Sequence, residues 1–223
     1  MTAPLQSSAS SEAAPEAFSV KWLRRIIALG LYLAAGVLLI GLSPLLLPTV
    51  ALVDLLTGRQ WARCRTFVFL LVYLCLEAAG VVLSFGLWLR ATTLPLWYRP
   101  RFLADNFQLQ CWWASTLRRS GFYLFNVDVQ IEGEEQTSDR PVLLFIRHCS
   151  IADTMLPTLL LCAPHGIVLR WVMKFELLWD PCVDIVGRRL QNCFVRREAK
   201  FHKVDLKRVA TLALIFLLLS RQQ

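Results

Sequence analysis

Two apolar runs constrain this chain more than any other feature. Ile26 to Val53 carries no charge, and Phe67 to Leu89 carries one, Glu77. A helix needs about 20 apolar residues to cross a bilayer, and both runs exceed that. Pro44 and Pro48 fall late in the first run, where a helix kinks or ends. Arg59, Arg63 and Arg65 separate the runs, and Trp22, Trp61, Trp88 and Trp97 sit at their edges, where interfacial tryptophans belong. The expectation is two membrane helices over residues 21–90, either spanning or re-entrant. A cleaved signal sequence does not fit, because the first run is too long and a second follows. Lys21, Arg24, Arg25, Arg90, Arg99 and Arg101 flank the pair, which places the C-terminal domain on the cytosolic face, of a bacterial inner membrane or of the endoplasmic reticulum. No other polar group in either run joins Glu77 to make a pathway, so a pairing or snorkelling role is expected for it.

Composition narrows the class. The chain of 223 residues is 56% hydrophobic and 18% charged, against about 45–50% and 25% for ordinary soluble domains. A disordered chain and a collagen-like fibre are excluded. There are 24 Lys plus Arg against 16 Asp plus Glu, a net charge of +8, and Arg dominates. Arginine grips phosphate with two parallel bonds, so the charge suits membrane lipids or a phosphorylated substrate. Basic residues interleaved with exposed aromatics are missing outside the apolar runs, so no nucleic acid partner is expected. The seven Cys form no C-x-x-C pair. That argues against a disulfide framework and a zinc site, and no metal is expected.

Residues 1–20, rich in Ala, Ser and Pro, read as a disordered lead. Residues 91–121 read as an amphipathic interfacial helix and linker, with a core helix of the next domain as the alternative. Residues 122–223 read as an α/β domain, a mostly parallel sheet with flanking helices. Residues 126–131 alternate like a half-buried strand. Residues 142–146 resemble a strand buried on both faces. A helix over 153–161, a strand over 166–173 and a further strand from Asn192 follow.

His148 and Asp153 lie where the buried strand meets the helix, the place where α/β sheets bind ligands. Histidine there acts as a general base when a carboxylate fixes its tautomer. The spacing equally allows Asp153 to cap the helix, or Ser150 and Asp153 to form a capping box. Cys149, His165 and His202 are weaker candidates. A strand carried on through Cys149 would point it away from His148, and the two other histidines have no partnered carboxylate close in sequence.

Phe145-Ile146-Arg147-His148-Cys149-Ser150-Ile151-Ala152-Asp153 resembles the H-x4-D block of the glycerophospholipid acyltransferases, typified by the 1-acyl-glycerol-3-phosphate acyltransferases. Lys174-Phe175-Glu176-Leu177 with Pro181 and Gly187 resembles their second block. Phe194-Val195-Arg196-Arg197 resembles their phosphate-binding block, with Arg196 in place of its usual Asp. The Glu-Gly-Thr-Arg block of the family does not occur, as in a member truncated before it. The resemblance implies a membrane-bound enzyme of phospholipid biosynthesis, moving an acyl group from acyl-CoA or acyl-carrier protein to a lysophospholipid such as 1-acyl-glycerol-3-phosphate. It implies His148 as base, Asp153 as its orienting partner, and Arg197, helped by Lys174 or Arg196, as the phosphate ligand. Neither a metal nor a bound cofactor is implied. The alternative is a non-catalytic lipid-binding membrane protein on the same scaffold.

Overall fold

The computed structural model describes residues 16–130, 144, 156–162, 167–190, 192–196, 206, 207 and 209–211. Three long helices dominate: α1 (Phe18–Thr57), α2 (Ala62–Thr93) and α3 (Pro95–Phe125). Short turns of π- and 3-10 helix at Thr158–Cys162, Phe175–Trp179 and Val183–Gly187 pack against them. β1 (Val172–Lys174) and β2 (Cys193–Val195) form one parallel pair.

The mostly parallel sheet expected for the C-terminal half is therefore wrong. Among the described residues the fold is mainly helical, with one sheet of two three-residue strands. Part of the reason lies at Phe122–Phe125, which continue α3 instead of opening the α/β domain. α3 ends only at Asn126, which adopts the left-handed conformation (φ 52°) while the Val127 amide bonds the Phe122 carbonyl at 3.0 Å. Asparagine tolerates that conformation better than most residues. Residues 127–130 follow without strand pairing. The strand expected over 166–173 shrinks to 172–174, while the one expected from Asn192 is β2. The expected strand at 142–146 lies outside the described residues apart from Leu144, which is in no strand. Short apolar runs do not distinguish a strand from a buried helical segment by periodicity alone.

Leu94 alone separates α2 from α3, and Pro95 opens the new helix at the position where its missing amide costs least. The two helices run back antiparallel. Tyr73 meets Trp113 with ring centroids 6.5 Å apart, and Phe69 meets Phe125 at 5.6 Å. α3 buries Phe107, Cys111, Ala114 and Leu117, the three- and four-residue spacing of one helical face. Phe107, Leu109 and Cys111 join Cys162, Val186 and Leu190 in the core.

α1 and α2 are each long and apolar enough to cross a membrane, with mean hydropathy of 2.4 and 2.3 in their most apolar stretches. α1 is almost unburied: Arg24, Ala28 and Asp54 are its only buried residues. Leu33, Val37, Leu45 and Leu55 are each at least 66% exposed. An apolar surface that large is far more than a soluble monomer shows, and it fits membrane association.

Candidate functional site

β1 and β2 run parallel, in register Val172 to Cys193, Met173 to Phe194 and Lys174 to Val195. The Cys193 amide bonds the Trp171 carbonyl at 2.8 Å, and the Trp171 amide bonds Asn192 Oδ1 at 2.9 Å. The chain between the strands packs under them. Gly187 lies so close to Phe194, Asn192 and Met173 that a Cβ there would sit 3.4 Å from the Phe194 ring. Arg188 stacks over Phe194 at 5.8 Å.

Two of the expected substrate-binding residues, Lys174 and Arg196, lie on this strand pair, Lys174 opposite Val195 and Arg196 one residue beyond it. Lys174 closes β1 and Arg196 follows β2, so both lie at the carboxyl edge of the same strand pair. Lys174 is exposed, and the Arg196 guanidinium lies 4.2 Å from the centroid of the Phe175 ring. His148, Asp153 and Arg197, with Cys149, His165 and His202, lie outside the described residues. No protein-family model, curated protein or solved structure matches this chain. Among the described residues, no group of His, Cys, Asp or Glu could hold a metal ion.

A second constellation, absent from the expectations, ties the foot of α1 to the segment beneath the strands. Asp184 accepts from Arg25 Nε at 2.6 Å, Arg188 Nε at 2.7 Å and Arg24 Nη2 at 3.3 Å. Glu16 accepts from Arg24 Nε at 3.0 Å and from Arg188 Nη2 at 2.7 Å. Arg24 also donates to the Leu178 carbonyl. Burial alone would raise the Asp184 carboxyl, but the bonds and charges of Arg25 and Arg24 overcome it and hold its pKa below the ordinary value. Glu16 is lowered in the same way, its burial outweighed by Arg24 and Arg188.

A third cluster surrounds Glu77, which is 2% exposed. Its partners come from residues 180–183, outside either apolar run. Oε2 accepts from the Cys182 amide at 3.3 Å. Asp180 accepts from the Tyr73 hydroxyl at 2.8 Å and from the Val183 amide at 2.8 Å, and Tyr32 reaches Tyr73 at 3.2 Å. Burial pushes Asp180 above its ordinary value despite those bonds. Cys182 packs so closely on α2 that a Cβ on Gly80 would lie 2.5 Å from its sulfur. Glu77 thus pairs across the fold. Arg189 enters the same region, donating to Ser84 Oγ at 2.8 Å and Asn106 Oδ1 at 3.1 Å. Apart from Arg24–Glu16, Arg188–Asp184, Val183–Asp180 and Tyr32–Tyr73, these partners are 83 to 172 residues apart in the chain, and no local pattern pairs them.

Proposed function

We propose that this chain is a membrane-bound acyltransferase that moves a fatty acyl group from acyl-CoA or acyl-carrier protein to a lysophospholipid, in the manner of the 1-acyl-glycerol-3-phosphate acyltransferases it resembles. The observation that supports the reading is that Lys174 ends β1 and Arg196 follows directly on the parallel neighbour β2, so the two sequence blocks meet at one edge of the strand pair. Those residues come from two separate sequence blocks, and the fold brings the blocks onto neighbouring strands. The ordered blocks at 145–153, 174–187 and 194–197 supply the rest, and the exposed apolar α1 suits substrates that reside in lipid.

In this mechanism Arg197, with Lys174 and Arg196, holds the acceptor phosphate. His148 takes the proton of the acceptor hydroxyl, and Asp153 fixes its tautomer and stabilises the imidazolium. The hydroxyl oxygen attacks the thioester carbonyl and forms the C–O bond. The C–S bond then breaks, and the departing thiolate recovers the proton from His148. No acyl-enzyme forms. The test is transfer of a labelled acyl group to 1-acyl-glycerol-3-phosphate in detergent micelles, from acyl-CoA and from acyl-carrier protein. Diacylated product is expected. Binding of the acceptor without transfer from either donor would favour the non-catalytic lipid-binding alternative.

A further inference from the structure

α2 and α3 have matched arms. Counted from Leu94, Tyr73 lies 21 residues back and its neighbour Trp113 lies 19 forward. Arg189 bridges Ser84 and Asn106, 10 back and 12 forward. α1 and α2 are not matched. They meet at their turn, where Asp54 Oδ2 accepts from the Cys64 amide at 3.0 Å. They meet again at Tyr32 and Tyr73, with ring centroids 6.3 Å apart. Tyr73 is 11 residues beyond Ala62, but Tyr32 is 25 residues before Thr57. At a rise of about 1.5 Å per residue, that is about 17 Å along α2 and about 38 Å along α1. Two tyrosine side chains and a helix spacing of about 8–10 Å do not make up that difference.

α1 must therefore bend between Tyr32 and Asp54, and Pro44 and Pro48 lie in that interval. Each proline removes a helical hydrogen bond and crowds the preceding turn. The Ser43 hydroxyl bonds back to Ile40, and Thr49 to Leu45 and Leu46, a pattern that bends helices further. Both arms of the bend expose leucine, valine and isoleucine.

We propose that α1 is a re-entrant membrane segment. It enters one leaflet, turns at Pro44–Pro48 and leaves through the same face. Arg59, Arg63 and Arg65 then lie at the same headgroups as Lys21 and Arg25. Tyr32 to Pro48 is about 24 Å of helix, short of the roughly 30 Å hydrocarbon core. A straight α1 of 40 residues would be about 60 Å, twice that thickness. The re-entrant path also leaves Arg59, Arg63 and Arg65 on the same side as Lys21, facing one anionic surface, where a spanning hairpin would place three arginines on the far side. This inference rests on membrane association alone, and acyl transfer can fail without affecting it.

The test uses the full chain in sealed vesicles of zwitterionic and anionic phospholipid. A specific protease site is inserted after Gly58, and a second after Asp128. Both positions are exposed, and exposed turns tolerate insertion. Detergent shows that each site can be cut. The account predicts that external protease cuts both sites in the same molecules and leaves both intact in oppositely oriented ones. Molecules cut at one site and protected at the other would overturn it, as would failure of the chain to float with the vesicles. Trypsin cleavage at Arg59 in the unmodified chain, read by mass spectrometry, repeats the test without an insertion.

Discussion

Asp184 shows how much of this fold hangs on single side chains. Three guanidinium groups converge on a carboxylate that is 1% exposed. Removing one partner of a buried ion pair typically costs about 3–5 kcal/mol, because the other charges stay buried without compensation. Asp184→Asn is expected to destabilise the protein by that order, measured by thermal unfolding in detergent. The pH dependence has a definite sign. Asp184 and Glu16 titrate below their ordinary values of 3.8 and 4.5. Their contribution is fully present above those values and is lost as pH falls through the lowered ones. Asp180 is raised, so its contribution runs the other way and declines as pH rises toward its folded value. The gap between wild type and Asp184→Asn should therefore be constant from about pH 7 to 5 and close in stronger acid. On the substrate side, Arg197→Ala should mainly raise the Michaelis constant for a phosphorylated acceptor. A lost charge-assisted bond of about 1.5–3 kcal/mol corresponds to roughly 10- to 150-fold. Arg197→Lys should rescue only part, since an ammonium lacks the bidentate fork.

At the scale of elements, Gly80 is the tightest joint. A methyl group there would strike the Cys182 sulfur, so Gly80→Ala should cost about 1–3 kcal/mol through overpacking. The Cys182→Ala change removes that sulfur, and the double variant should recover most of the loss. Gly86 has open space around its Cα, so Gly86→Ala should be neutral or stabilising by up to about 1 kcal/mol. Unfolding midpoints of the four variants check this, and equal effects at Gly80 and Gly86 would contradict it. The long helices were legible in sequence because their apolar runs are longer than any strand. The C-terminal half is less legible because the alternation at 126–130, which suits a half-buried strand, follows the end of α3 without pairing. The parallel pair is half legible: 166–173 and the residues from Asn192 read as strands, and the resemblance places the phosphate block at Phe194–Arg197. Their adjacency is a matter of register, which local pattern does not encode. The clamp on Asp184 was illegible for the same reason, since Arg24 and Asp184 are 160 residues apart.

Across the whole molecule, membrane anchoring and domain folding share the same helices. The outer arms of α1 are exposed and apolar, while Leu74, Leu76, Glu77, Gly80 and Ser84 of α2 are buried inside the protein. The chain should stay in the membrane pellet after carbonate washing. Deleting residues 1–90 should not release a soluble domain, because it removes the α2 face that α3 and residues 178–190 cover. Aggregated material is expected, and a soluble monomer from either preparation would refute the arrangement.

The central claim is that His148 is the base of an acyl transfer, and one comparison tests it most directly. Wild type and His148→Ala are assayed side by side for labelled acyl transfer from acyl-CoA to 1-acyl-glycerol-3-phosphate in micelles. General-base catalysis contributes typically 10²–10⁴-fold, so the variant should lose about that factor in rate. Retention of wild-type rate by His148→Ala, or an acyl group trapped on Cys149, would contradict the account.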